Sequence, residues 1–198
     1  MVTLKNHELL QRLLQTIDLE ILPKTSDGVQ KGNKIFGAAI LEEQTLGTVV
    51  VETNLEIENP LFHGEIACLN SFFSKSVHRS TSDLIFLSTH EPCSMCLSAI
   101  AWAGFRKVYY FFNHEESRDN FQIPHDLKIL KEVFNIDPGK YNKNNIFFDS
   151  TSIIDLINST QHENRAMLVQ DVKMIREKYK RLSSIYQQGK DKNSIPLK

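Results

Sequence analysis

Residues 83–112 read DLIFLSTHEPCSMCLSAIAWAGFRKVYYFF. Asp83 to Ser88 is a buried-strand pattern, Pro92 opens a stretch of helical character running to about Ala103, and Lys107 to Phe112 is a second β-rich run. Strand, helix, strand implies a crossover connection within one sheet, and with it an α/β fold. The segment also carries chemistry. Cys93 and Cys96 stand two residues apart directly after Pro92, and His63-Gly64-Glu65 precedes Cys93 by thirty residues.

Neither half of that pattern is decisive by itself. A lone Cys-x-x-Cys is a redox pair, half of a structural zinc knuckle, or chance. In this order, each half followed by a helix-compatible apolar stretch, the two read together as a zinc site. His63, Cys93 and Cys96 supply one imidazole and two thiolates, and a tetrahedral ion with three protein ligands keeps one corner for water. Zinc makes such water acidic, and Glu65 is spaced to move its proton. The structural alternative needs a fourth protein ligand, and Cys68 is the only other cysteine.

These residues resemble the cytidine deaminase superfamily of zinc-dependent nucleobase and nucleoside deaminases, whose signature has this form. The resemblance covers about 34–134, with Lys34 to Ile40 similar to the first strand and Asn54 and Asn59-Pro60 similar to the loop before His-x-Glu. It implies His63, Cys93 and Cys96 as zinc ligands, Glu65 as the acid/base, and Asn54 as a substrate contact. Leu97 to Ala103 looks like the guanine deaminase branch, which uses a Trp at the position of Trp102 to wall the base pocket. Phe36 is a second candidate wall, and a core role suits either aromatic equally. Asn120-Phe121 echoes the same branch, but Gln122 and Ile123 stand where that branch has an acid. Asp126 either replaces it from the next turn or is a first-turn acid favoured by the helix dipole. Other fragments point elsewhere: His63 to Ile66 is similar to fungal cytosine deaminases, Ala103 to Lys107 to deoxycytidylate deaminases, and Glu91-Pro92-Cys93 to tRNA adenosine deaminases. His90 and Glu91 flank the metal loop and read as exposed residues near its mouth; His7, His78, His114, His125 and His162 read as surface residues.

Working outward, Leu10, Leu13, Leu14 and Ile17 predict an amphipathic N-terminal helix ended by Pro23, and Thr25 to Asn33 reads as a loop. Ile35 to Leu41 and Leu46 to Val51 predict a hairpin. A helix starts near His63, another covers Ile123 to Phe134 behind Pro124, and Asn145 to Phe148 reads as the last strand. The expected fold is a three-layer α/β/α sandwich with a mixed sheet of about five strands, the His and Cys motifs lying at the N-terminal ends of neighbouring helices. Leu168, Val172, Ile175, Tyr179, Leu182 and Tyr186 predict a long amphipathic helix over Gln161 to Tyr186, and Gln187 to Lys198 reads as a frayed tail. The expected division is a deaminase domain over 1–158 and a helical extension over 159–198.

The 198 residues are 41% hydrophobic, enough for one core with an extension. A net charge of −1 lacks the basic balance of a protein that grips long nucleic acid, which favours a small nucleobase or nucleoside substrate. No apolar run approaches the roughly 20 residues of a membrane span, and no signal core opens the chain. Three cysteines, two committed to metal, suit a reducing cytoplasmic address. The expected activity is hydrolytic deamination with a guanine-like free base favoured, Zn2+ as cofactor and a homodimer as assembly. A tRNA adenosine-to-inosine deaminase and a non-catalytic zinc-stabilised partner subunit remain the alternatives.

Overall fold

The computed structural model describes residues 2–74, 80–137, 140–160 and 165–198, with side chains from residue 6 onward. Five strands form one mixed sheet in the order β2-β1-β3-β4-β5. Strand β1 (Gly37–Glu42) pairs antiparallel with β2 (Thr48–Thr53) as the expected hairpin, and antiparallel with β3 (Leu84–His90) on its other edge. From β3 the chain passes through α4 (Ser94–Trp102) into β4 (Lys107–Phe112), which lies parallel to β3. Gly104, at φ +80, makes the reversal after α4 that a side chain would strain. Strand β5 (Asp149–Ser152) continues the parallel half.

The side chains of each strand alternate between two cores. On one face Ala38, Ile40, Phe86 and Val108 meet Cys68, Leu69 and Phe72 of α3 (Gly64–Phe73) and Leu97 and Ile100 of α4. On the other, Ala39, Leu41, Leu87 and Phe111 meet Leu10, Leu13, Leu14 and Ile17 of the N-terminal helices and Leu168, Ile175, Tyr179 and Leu182 of the last long helix. The result is the three-layer α/β/α arrangement. Among the described residues no helix is long and apolar enough to cross a membrane.

Several elements differ from the sequence reading. Pro23 does not end the N-terminal helix. After α1 (Val2–Gln15) the chain widens into a π-helical turn over Thr16–Ile21, closed by Leu22 N–H donating to Ile17 O five residues back, and α2 (Leu22–Gln30) starts afresh. Pro23 then occupies the first turn, where its missing N–H costs nothing. Most of the expected 25–33 loop is therefore helix, with Thr25 Oγ1 donating to Ile21 O at 3.0 Å and Val29 in the core. Asn145 to Phe148 is not a strand. Asn145 Oδ1 accepts from the backbone N–H groups of Phe147 and Phe148 at 2.9 and 3.2 Å, which withdraws both from a ladder, and pairing begins only at Asp149. Ile146 and Phe147 are exposed instead.

Two short helices went unread in the sequence. Helix α5 (His114–Phe121) starts with a capping box between Asn113 and Glu116, and α7 (Ile153–Ser159) is capped by Ser152. Helix α6 (His125–Phe134) follows Pro124 as expected. The long helix α8 is described as Arg165–Gly189; its expected start at 161–164 lies outside the described residues. The tail beyond it is packed rather than frayed. Asn193 Nδ2 donates to Gly32 O at 3.0 Å, and Ile195 is buried.

Candidate metal centre

His63 is the N-cap residue of α3 and Cys93 that of α4, while Cys96 sits in the first turn of α4. The two helices pack side by side under the sheet, so their N-termini converge. Their unpaired N–H groups and partial positive charge favour thiolate over thiol. Cys93 Sγ lies 3.6 Å and Cys96 Sγ 3.7 Å from His63 Nδ1, and the three donor atoms all fall within 4.8 Å of one another. Tetrahedral zinc, with bonds of about 2.05 Å to nitrogen and 2.3 Å to sulfur, needs a nitrogen–sulfur separation of about 3.6 Å. The donor set and its spacing fit that ion.

Glu65, one turn into α3, is buried beside this cluster. Its Oε1 accepts from Ser88 Oγ at 2.8 Å and its Oε2 lies 3.4 Å from Cys96 Sγ. Burial first, then the negative charge of Cys93, raises its pKa above the ordinary carboxylate range. Burial opposes charge on His63, but the bond to and charge of Cys93 prevail and raise it to about 9. The bond from Cys96 holds the Cys93 thiol well down, whereas burial pushes Cys96 up. The pair thus shares one proton, which a cation bound by both sulfurs would displace.

The centre opens into a cavity of about 370 Å³. Phe36 lines it, with Leu61, Ile123 and Ile129 adding apolar surface. Asp126 also lines it. Burial, and then the Cys93 charge, pushes its carboxyl up to about 7. Two other expected substrate contacts lie elsewhere. Asn54 is fully buried behind the wall, its Oδ1 accepting from Gly64 N at 2.5 Å and its Nδ2 donating to Glu56 Oε2 at 2.7 Å. Trp102 is 92% exposed at the far end of α4, beside a separate apolar groove that includes Phe134 and Phe147. Trp102 is the last residue of the nine-residue α4, six positions and about 9 Å of helix rise beyond Cys96, so it stands away from the metal donors at the helix N-terminus.

Residues to which the sequence reading gave no role, or which it read as exposed, complete the site. Glu56 and Lys34 form a buried ion pair at 2.6 Å in the cavity wall, and Glu56 Oε1 is 3.8 Å from His63 Nε2. Ile195 and Leu197 of the tail close one side, where His125 Nε2 meets the carbonyl of Lys198 at 2.9 Å. His125 therefore lines the cavity rather than an open surface. Glu91 is buried as well: it accepts from His114 N at 3.1 Å, Tyr141 Oη at 2.7 Å and Lys143 Nζ at 2.6 Å, and so anchors the turn into Pro92-Cys93. His114, also buried, meets the Pro92 carbonyl at 3.2 Å, and His90 packs between the rings of Phe36 and Phe112. His78 and His162 lie outside the described residues.

Residues 17–112 match the family model for the cytidine and deoxycytidylate deaminase zinc-binding region. Nearly half of the chain is thus similar to a deaminase zinc-binding region. The match runs from the π-helical turn to the end of β4 and contains all three donors and Glu65. A guanine deaminase of Bacillus subtilis is 30% identical over 87 residues, 42% of this chain and 54% of that protein. A tRNA-specific adenosine deaminase of Rickettsia bellii is 29% identical over 93 residues, 46% of this chain and 64% of that protein. The matched stretch thus spans about half to two thirds of these deaminases. Among solved structures, a variant of the protein NE0047 bound to 8-azaguanine shares the fold with a TM-score of 0.52 at 17% identity, over 81% of this chain and 80% of that one. The wall formed by Ile123, Asp126 and the tail falls outside the deaminase family match.

Proposed function

We propose that this protein is a zinc-dependent hydrolytic deaminase of a nucleobase or nucleoside, with a guanine-like free base as the favoured substrate. One observation carries the reading: a buried carboxylate, Glu65, stands beside three converging zinc donors that open into a cavity of about 370 Å³, room enough for a base. His63, Cys93 and Cys96 would hold the ion, which when bound supplies a water acidic enough to attack at neutral pH. The remaining chemistry belongs to Glu65. Its Oε1 is fixed by Ser88, leaving Oε2 to take the proton that water loses. It passes that proton to the ring nitrogen next to the amine-bearing carbon, then delivers one to the departing ammonia. Water and the aminated base become the oxo base and ammonia.

The small-base reading is supported by Ile195 and Leu197, which cover a cavity that a folded tRNA would need open. The similarity to tRNA-specific adenosine deaminases makes adenosine-to-inosine editing the second reading. A non-catalytic zinc subunit would have no need of a buried carboxylate at this position. The remaining parts of the proposal are a cytoplasmic address, in keeping with the two thiols that Cys93 and Cys96 offer to a metal, a homodimer, and a deaminase domain over 1–158 with a C-terminal helical extension over 159–198.

Ammonia release from guanine, cytosine, adenosine, cytidine, deoxycytidylate and a tRNA anticodon stem tests the reading on protein carrying one zinc per chain. Guanine is expected to react. Glu65→Gln should keep its zinc and lose about 10²- to 10⁴-fold in turnover. Zinc-loaded protein that releases ammonia from none of the six, or Glu65→Gln that keeps full activity, would refute it.

A further inference from the structure

We propose that Lys34 and Glu56 recognise the lactam edge of a free oxo-base, Lys34 donating to its carbonyl oxygen and Glu56 accepting from the adjacent ring N–H. This rests on the deaminase reading and names the substrate class of the same cavity.

Lys34 and Glu56 side chains are 5% and 1% exposed, and both line the cavity. Burying two charges costs several kcal/mol for each ion, and an apolar pair of similar volume commonly serves stability as well or better. Asp126 and His125 also line the cavity, but His125 Nε2 is engaged with the Lys198 carbonyl, and Lys34 with Glu56 alone sets an ammonium donor directly beside a carboxylate acceptor. Its orientation is built from behind. Glu56 Oε2 accepts from Asn54 Nδ2 at 2.7 Å and from Lys34 N at 3.3 Å, so that oxygen is committed within the protein. Oε1 receives Lys34 Nζ at 2.6 Å and is the oxygen nearer the metal ligand His63, at 3.8 Å from Nε2. An ammonium has three N–H donors and a carboxylate oxygen more than one acceptor site, so each keeps capacity after pairing with the other.

Donor and acceptor therefore stand side by side, 2.6 Å apart. A lactam presents the complementary pair, a C=O and an N–H whose oxygen and nitrogen are about 2.2 Å apart by bond geometry. Guanine and free cytosine carry such an edge. Adenine and adenosine lack it, and in cytidine and deoxycytidylate the sugar occupies the nitrogen. Asn54, spent on Gly64 and Glu56, acts as the positioning residue for this wall.

The test uses two matched pairs on zinc-loaded full-length protein. Hypoxanthine and purine differ by the lactam and need no turnover, so their binding is measured by calorimetry. Guanine and 2-aminopurine differ likewise and are compared by ammonia release. Hypoxanthine should bind more tightly than purine by about 10- to 100-fold, the worth of hydrogen bonds to charged groups. Guanine should outpace 2-aminopurine in kcat/KM by a similar factor. Lys34→Met should erase both preferences with zinc content unchanged. Because that variant leaves a buried carboxylate unpaired, Lys34→Met/Glu56→Gln is measured beside it. Equal binding of hypoxanthine and purine, binding of neither, or a preference that survives in both variants overturns the proposal. A lactam preference in binding without ammonia from any base would sustain it while sinking the deaminase reading. Ammonia release without lactam preference would do the reverse.

Discussion

Glu91 shows how a residue in the metal loop acts through charge it never brings to the metal. Burial works against its ionised form, but His114, then the bond and charge of Lys143, prevail and hold its pKa below the ordinary 4.5. A carboxylate with a lowered folded-state pKa contributes stability that is present above its unfolded value and lost as pH falls through the folded one. Glu91→Gln should therefore destabilise the protein at neutral pH by about 3 kcal/mol, because Lys143 and Tyr141 lose a charged acceptor. The gap between wild type and variant in denaturant unfolding should close as pH drops below 4.5. A gap of constant size would show that the network contributes no charge-dependent stability. At this scale the sequence was legible where spacing is local. His63, Glu65, Cys93 and Cys96 are marked by two short motifs, whereas Lys34 and Glu56 stand 22 positions apart and nothing in the sequence joins them until the fold buries them together.

Helix α3 reaches the metal because its first residue has no side chain. A Cβ on Gly64 would meet Gly37 Cα at 2.7 Å and two further Gly37 backbone atoms at 3.1 Å, all on β1. Gly64→Ala must therefore push α3 from the sheet, carrying His63 and Glu65 with it. A loss of about 1–3 kcal/mol in stability and a lower zinc affinity are expected, read by thermal unfolding and competition with a chelator. Zinc affinity equal to wild type would show that the helix tolerates the displacement. Helix α8 is bound as firmly on the opposite layer, with Ile175 and Tyr179 in the same core as Leu13 and Ile17. Ile175→Ala should cost about 2–5 kcal/mol in denaturant unfolding, and less than 1 kcal/mol would mean the helix is peripheral. The apolar periodicity of α8 and the alternation of the hairpin were readable because each repeats over many residues. The π-helical turn at Thr16–Ile21 and the Asn145 turn were not, since each hinges on which carbonyl or side chain captures one or two N–H groups.

For the whole molecule, the expected assembly is a dimer, and light scattering should give twice the 22.8 kDa of one chain. A mass of a single chain would refute it. Trp102 bears on the same question: set on α4 among residues matching the family, it stands 92% exposed with Phe134 and Phe147 close by, an apolar surface of the kind that associates. From sequence alone came the cluster of His63, Cys93 and Cys96, the glutamate beside it, the crossover that makes the sheet α/β, and the two long amphipathic helices. Motif spacing and hydrophobic period are properties of neighbouring residues, so these needed no knowledge of what packs on them. Only the tertiary structure decided that Asn54 is spent inside the wall, that Lys34, Glu56 and Asp126 face the cavity, and that the tail covers it. Those placements bring residues from distant segments together: the fold pairs Lys34 with Glu56 inside the wall, and burial pushes the Asp126 carboxyl up to about 7.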